Sequence, residues 1–233
     1  MSKYSIKISL SDATLEALYK KRMSLIIFKG VTGPPSMNYI VWFKKNTLSN
    51  SNKISWVSNH SAYLSDSDLS HGVSIDCRAD KPMSAGQLAT VTEYNTLQIS
   101  NDGGVDGYYN INNPTDNEHT VGLATVNPGG VFSPCCATLL NGNSNVGFQP
   151  MEGLFLCFGD SRTEVGTVWV QSVSAGFIVD LTDTSVMNGV VLKYDINKGW
   201  SCAHPVQALH CVKAPANESM GGLMNSVSYG SDY

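Results

Sequence analysis

Charge is what this chain has least of. Asp, Glu, Lys and Arg make up 15% of its 233 residues, against about 25% in an ordinary soluble domain. The basic residues are scattered, and the only clusters are Lys20-Lys21-Arg22 and Lys44-Lys45. Both are too short for the basic stripe that nucleic-acid binding needs, so no nucleic-acid partner is expected. No window approaches the roughly 18–20 consecutive apolar residues of a membrane span, which excludes a transmembrane helix. Met1 to Leu10 alternates polar and apolar without an apolar h-region. No secretory signal is therefore visible, and on these residues alone a cytoplasmic location is expected. No composition break marks a linker and no internal repeat is found, so residues 1–233 are expected to form a single domain. With 42% hydrophobic residues, there is enough apolar material for a substantial core, which excludes disorder.

What remains has the punctuation of a β protein. Tyr4 to Ser9 alternates with period two, as a half-buried strand does. The period changes after Ser9, where Ser11 or Asp12 can cap a short helix near residues 12–21 with Leu15 and Leu18 on one face. From Leu25 on, short runs rich in Val, Ile, Phe, Trp and Tyr recur between Gly, Asn and Pro. Leu25-Ile26-Ile27-Phe28, Tyr39 to Phe43, Ile54 to Val57, Thr120 to Val126 and Leu154 to Phe158 are among them. This spacing predicts an all-β fold, an antiparallel β-sandwich with one short N-terminal helix. Trp42, Phe43, Ile27, Val168 and Phe155 are the expected core. Met220 to Tyr233 is Ser- and Gly-rich, and residues 220–233 are expected to be a flexible tail or an arm exchanged with a neighbour.

Six cysteines stand out against the sparse charge, and with no visible signal their redox state stays open. Cys135 and Cys136 are adjacent. Strand alternation would turn one inward and the other out, which makes the outward thiol a candidate for an intermolecular bond. Cys202 and Cys211 are the next disulfide candidates, because the regular pattern fades there. Cys77 and Cys157 complete the set. Cys202, His204, His210 and Cys211 carry zinc-ligand side chains, but not at the usual paired-cysteine spacing. No metal site is expected from them, and no cofactor is implied elsewhere. Asp66-Ser67-Asp68 and Asn101-Asp102 with Asp106 lack the full ladder of calcium-loop carboxylates. Gly159-Asp160-Ser161 is a common turn tripeptide rather than a nucleophile block. Trp42 and Trp169 lie in apolar runs and are expected inside. Trp56 and Trp200, each beside a serine, are expected to be exposed. With Tyr108 and Tyr109 they would form a surface for a glycan or a membrane.

Four blocks also carry a resemblance. Phe28-Lys29-Gly30-Val31, Val41-Trp42-Phe43, Ile54-Ser55-Trp56 and Asn197-Lys198-Gly199-Trp200-Ser201 occur in this order. Together they resemble the octin family over roughly residues 20–201. Its members are bacterial proteins of about this length, mostly without an assigned activity, and a fungal protein of octahedral vacuolar crystals that act as gravity-sensing statoliths. The resemblance implies a shared fold, a non-enzymatic structural role, self-assembly into dense crystals and, for the fungal member's kind, a vacuole lumen. Low charge agrees with dense packing of the chain against itself, and cysteines could lock such an assembly in an oxidising compartment. The expected partner is therefore a second copy of the chain. The alternative is a lectin- or toxin-like binding module.

Overall fold

In the computed structural model, which describes residues 3–183, 186 and 188–225, strand accounts for 54% of the chain and helix for 8%. The core is therefore built by sheet against sheet. The chain begins with β1 (Lys3–Leu10), α1 (Asp12–Lys20), β2 (Met23–Thr32), β3 (Asn38–Ile40), β4 (Phe43–Lys45), β5 (Ser51–Val57) and β6 (His60–Ser65). It continues through β7 (Cys77–Met83), β8 (Leu88–Val91), β9 (Leu97–Ser100), β10 (Tyr109–Asn113), β11 (His119–Val126), β12 (Phe132–Leu140) and β13 (Ser144–Asp160). The last third holds β14 (Val168–Trp169), β15 (Gly176–Asp180), β16 (Asn188–Asp195), β17 (Gly199–Cys202), α2 (Pro205–Ala208), β18 (Cys211–Ala214) and α3 (Met220–Asn225).

Three sheets result. A four-stranded sheet runs β17-β16-β1-β5 and a six-stranded one runs β14-β3-β12-β11-β6-β7. The eight-stranded sheet follows β18-β15-β13-β10-β8-β9, with β2 pairing β13 and β4 alongside. Pairing is antiparallel except between β1 and β16 and between β10 and β8. β1 turns Tyr4, Ile6, Ile8 and Leu10 inward, as its alternation predicts. β2 and β6 instead bury nearly every residue, because they are covered on both faces. In β2, Ile27 joins the main core while Phe28 joins a second cluster with Phe155, Tyr39 and Trp169. Space is tight where β11 meets β12. A Cβ on Gly122 would lie 2.0 Å from the Cys136 carbonyl oxygen and 2.7 Å from Tyr63 Oη.

The N-terminal helix is where the sequence puts it. Ser11 Oγ accepts the Thr14 amide at 3.2 Å, and Leu18 is buried. Two further helices were not foreseen. α2 starts on Pro205, whose missing N–H costs nothing at a first helical position. α3 corrects part of the expected tail: Met220, Leu223 and Met224 are buried against the second cluster. Residues 226–233 of that tail lie outside the described residues. Trp42, Ile27, Val168 and Phe155 are fully buried, whereas Phe43 is only half-buried at the end of a short edge strand.

Candidate functional site

The best-developed polar cluster is internal. Lys29, in the middle of β2, is closed to solvent, and its Nζ lies 2.5 Å from Glu152 Oε2. The register of β2 on β13 explains the meeting: Val31 pairs with Pro150 and Lys29 with Leu154, so Met151, Glu152 and Gly153 bulge out of the ladder. Such a bulge re-aims a side chain that a regular strand would turn elsewhere. Glu152 Oε1 accepts the Ser58 hydroxyl at 2.6 Å. The Lys29 ammonium also sits 5.5 Å from the Tyr4 ring centre and 5.6 Å from that of Trp56, a distance at which aromatic faces attract a cation. Nearby, His60 Nδ1 and Tyr109 Oη share a hydrogen bond of 3.1 Å, while His60 Nε2 has no partner. Burial, helped by the Lys29 charge, lowers the His60 pKa to about 4, so the ring is neutral. Burial raises the Glu152 pKa, but the charge and hydrogen bond of Lys29 outweigh it and hold the carboxyl below its usual value.

The expected aromatic platform is not formed. Trp56 is buried on the same face of β5 as Ile54, because two residues along a strand return to one side. It stacks on Tyr4 and meets Trp42 edge-on at 5.6 Å. Trp200 is also buried, stacked between Phe158 at 5.3 Å and Phe177 at 6.0 Å. Tyr108 is exposed, but the half-buried Tyr109 turns its hydroxyl in towards His60.

The cysteines are all free thiols, and their placement corrects the alternation argument. Cys135 and Cys136 are both fully buried in the main core. On β11, Leu123 pairs with Cys136 and Ala124 with Pro134, so Cys135 is the extra residue of a β-bulge. The bulge cancels the alternation and leaves neither thiol outside. Burial pushes the Cys136 thiol well above its ordinary value and that of Cys157 to about 12, which makes both inert. Cys77, on the outermost strand of the six-stranded sheet, is exposed. Cys202 and Cys211 are half-buried, and burial raises both thiols.

Among the described residues no group of three or more His, Cys, Asp or Glu side chains is placed to hold a metal. No helix there is long and apolar enough to cross a membrane. The Gly159-Asp160-Ser161 block ends β13, and Asp160 is spent on Arg162, with Nη2 to Oδ2 at 2.6 Å.

Two surface clefts have opposite charge. One, of about 480 Å³, is lined by Lys193, Lys198 and Lys213 beside Tyr194 and Trp200. Its carboxylate, Asp195, accepts the Asn197 and Lys198 amides of its own turn. The other, of about 400 Å³, is lined by Asp66, Asp68 and Glu118 with the exposed Leu139. Asp66 pairs with Arg78, but Asp68 and Glu118 have no cationic partner among the described ion pairs. Close in sequence to Lys213, Val206, Leu209 and Val212 are 72%, 84% and 54% exposed. Those side chains sit on α2, its C-cap and β18, the terminal strand of the eight-stranded sheet.

No family model, curated protein or solved structure matches the chain.

Proposed function

We propose that this chain is a structural protein whose copies join head to tail, the basic cleft of one facing the acidic cleft of the next. The observation that carries this reading is the complementarity of the two clefts. The acidic cleft also carries the exposed Leu139, and each cleft presents unneutralised charge of the sign the other lacks. On a surface otherwise poor in charge, such patches dominate the long-range attraction between copies and set their register. A contact between two different patches does not close on itself as a twofold contact does. Unless its rotation closes a ring, it propagates and builds filaments. That is the kind of contact a dense crystalline body of the octin type requires, and a statolith or ballast role would follow from density rather than from chemistry.

Sedimentation velocity at increasing protein concentration and two ionic strengths tests the proposal. Association should appear at low salt and weaken steeply towards about 1 M salt, where the screening length falls to about 3 Å. A chain that remains monomeric at high concentration and low salt would sink it.

A further inference from the structure

Alternation on β1 sends Tyr4, Ile6, Ile8 and Leu10 into the core and leaves Lys3, Ser5, Lys7 and Ser9 on the outer face of the four-stranded sheet. On β5 the exposed Lys53 stands in register directly opposite Lys7, and neither strand contains a carboxylate. Like charges so placed repel. On the other side of β1, Ser9 pairs with Lys193 of β16, and Lys193 pairs with Ser201 of β17. Neighbouring strands lie about 4.8 Å apart, so a serine flanks the lysine on each side. All three residues line the basic cleft, where Lys198 from the β16–β17 turn and Lys213 from β18 join them.

The cleft is rich in donors and poor in acceptors. Lys193, Lys198 and Lys213 belong to no ion pair among the described residues. Its one carboxylate, Asp195, already accepts the Asn197 and Lys198 amides through Oδ1. Trp200 has both ring faces covered, by Phe158 and Phe177, so the cleft offers no platform on which an aromatic base could stack.

We propose that this cleft is a binding site for the phosphate group of a small, non-aromatic phosphate monoester such as a sugar phosphate. A phosphate monoester is close to a dianion at neutral pH and presents three strong acceptor oxygens, which suits three ammonium groups beside serine hydroxyls. Charge-assisted bonds of this kind are shorter and stronger than neutral ones. The volume of about 480 Å³ lies within the roughly 300–1,000 Å³ of small-molecule sites and leaves room for the body that carries the phosphate. Lys7 and Lys53, on the sheet face outside, add to the field that draws an anion in. Binding is a property of the single chain. It goes beyond the head-to-tail reading and does not rest on it, although both use Lys198 and Lys213.

The test is a titration of the isotope-labelled full chain with inorganic phosphate, glucose 6-phosphate and glucose, followed through the backbone amide resonances. Ionic strength is held constant with chloride at neutral pH. The titrations are repeated on Asp68→Asn with Glu118→Gln, whose acidic cleft can no longer compete from another copy, so failure here is distinct from failure of the assembly. Both phosphates should give saturable shifts at Ser9, Lys193 and Ser201, and glucose should give none. Lys193→Gln, an exposed change that leaves the core untouched, should weaken both about tenfold, the loss of one charge-assisted hydrogen bond. Shifts that do not saturate, that glucose reproduces, or that lie away from the cleft would overturn the proposal. So would parental affinity in Lys193→Gln, or binding of inorganic phosphate without glucose 6-phosphate.

Discussion

Lys29 and Glu152 form an ion pair of 2.5 Å in which the lysine is wholly closed to solvent. A charge so placed is tolerated only while its partner is present. Removing one member of a buried pair leaves the other desolvated and uncompensated, at about 3–5 kcal/mol. Lys29→Ala should therefore lower the urea-derived stability by about that amount. Lys29→Met combined with Glu152→Gln should cost less than the single change, because no stranded charge remains. Equal stability of Lys29→Ala and the parent would show that the pair contributes nothing.

A second prediction concerns pH. His60 is held neutral, with a pKa lowered to about 4, whereas in the unfolded chain it titrates near about 6.5. Below pH 6.5 the unfolded state takes up a proton that the folded state refuses. Stability should therefore fall on acidification from about pH 6.5 to about 4, by on the order of 3 kcal/mol. Lys29, Glu152 and Tyr109 face this ring. Glu152, whose carboxyl is held below its usual value, adds its own loss as the pH falls below about 4.3 through its folded value. In His60→Gln the decline between pH 6.5 and 4 should flatten, while the Glu152 decline remains. A parent chain whose melting temperature is level across that window would refute the assignment.

Period and punctuation reach far into this fold but stop at its irregularities. The alternation of Tyr4 to Ser9, the change of period at Ser11 and the apolar run Leu25 to Phe28 all correspond to observed elements. Trp56 was misplaced although the signal was present: Ile54 and Trp56 share parity, so one face must hold both. Cys135 and Cys136 were misplaced for a different reason. Strict alternation fails at a bulge, and Pro134, which cannot donate to a ladder, was the available hint. The meeting of Lys29 with Glu152 across a bulge, and of the lysines that line the basic cleft, depends on chain returns that no local pattern encodes.

Thiol chemistry follows from those placements. In the native state Cys77, Cys202 and Cys211 should react only slowly with a disulfide reagent, because burial raises all three thiols and the Asp80 and Asp76 charges add to the rise at Cys77, and Cys135, Cys136 and Cys157 only after denaturation. Any covalent dimer on a non-reducing gel should vanish in Cys77→Ser and persist in Cys135→Ser. Rapid native labelling of Cys135 or Cys136 would contradict the buried bulge.

The most direct measurement for head-to-tail assembly is a mixing experiment with charge-reversed faces. One variant carries Lys198→Glu with Lys213→Glu, and the other carries Asp68→Lys with Glu118→Lys; all four residues are exposed. At low salt each variant alone should remain monomeric in sedimentation velocity, since its two clefts now repel. Mixed in equal amounts, they should co-sediment as large species, because each cleft again meets its opposite sign. Monomers in the mixture, under conditions where the parent associates, would contradict the account.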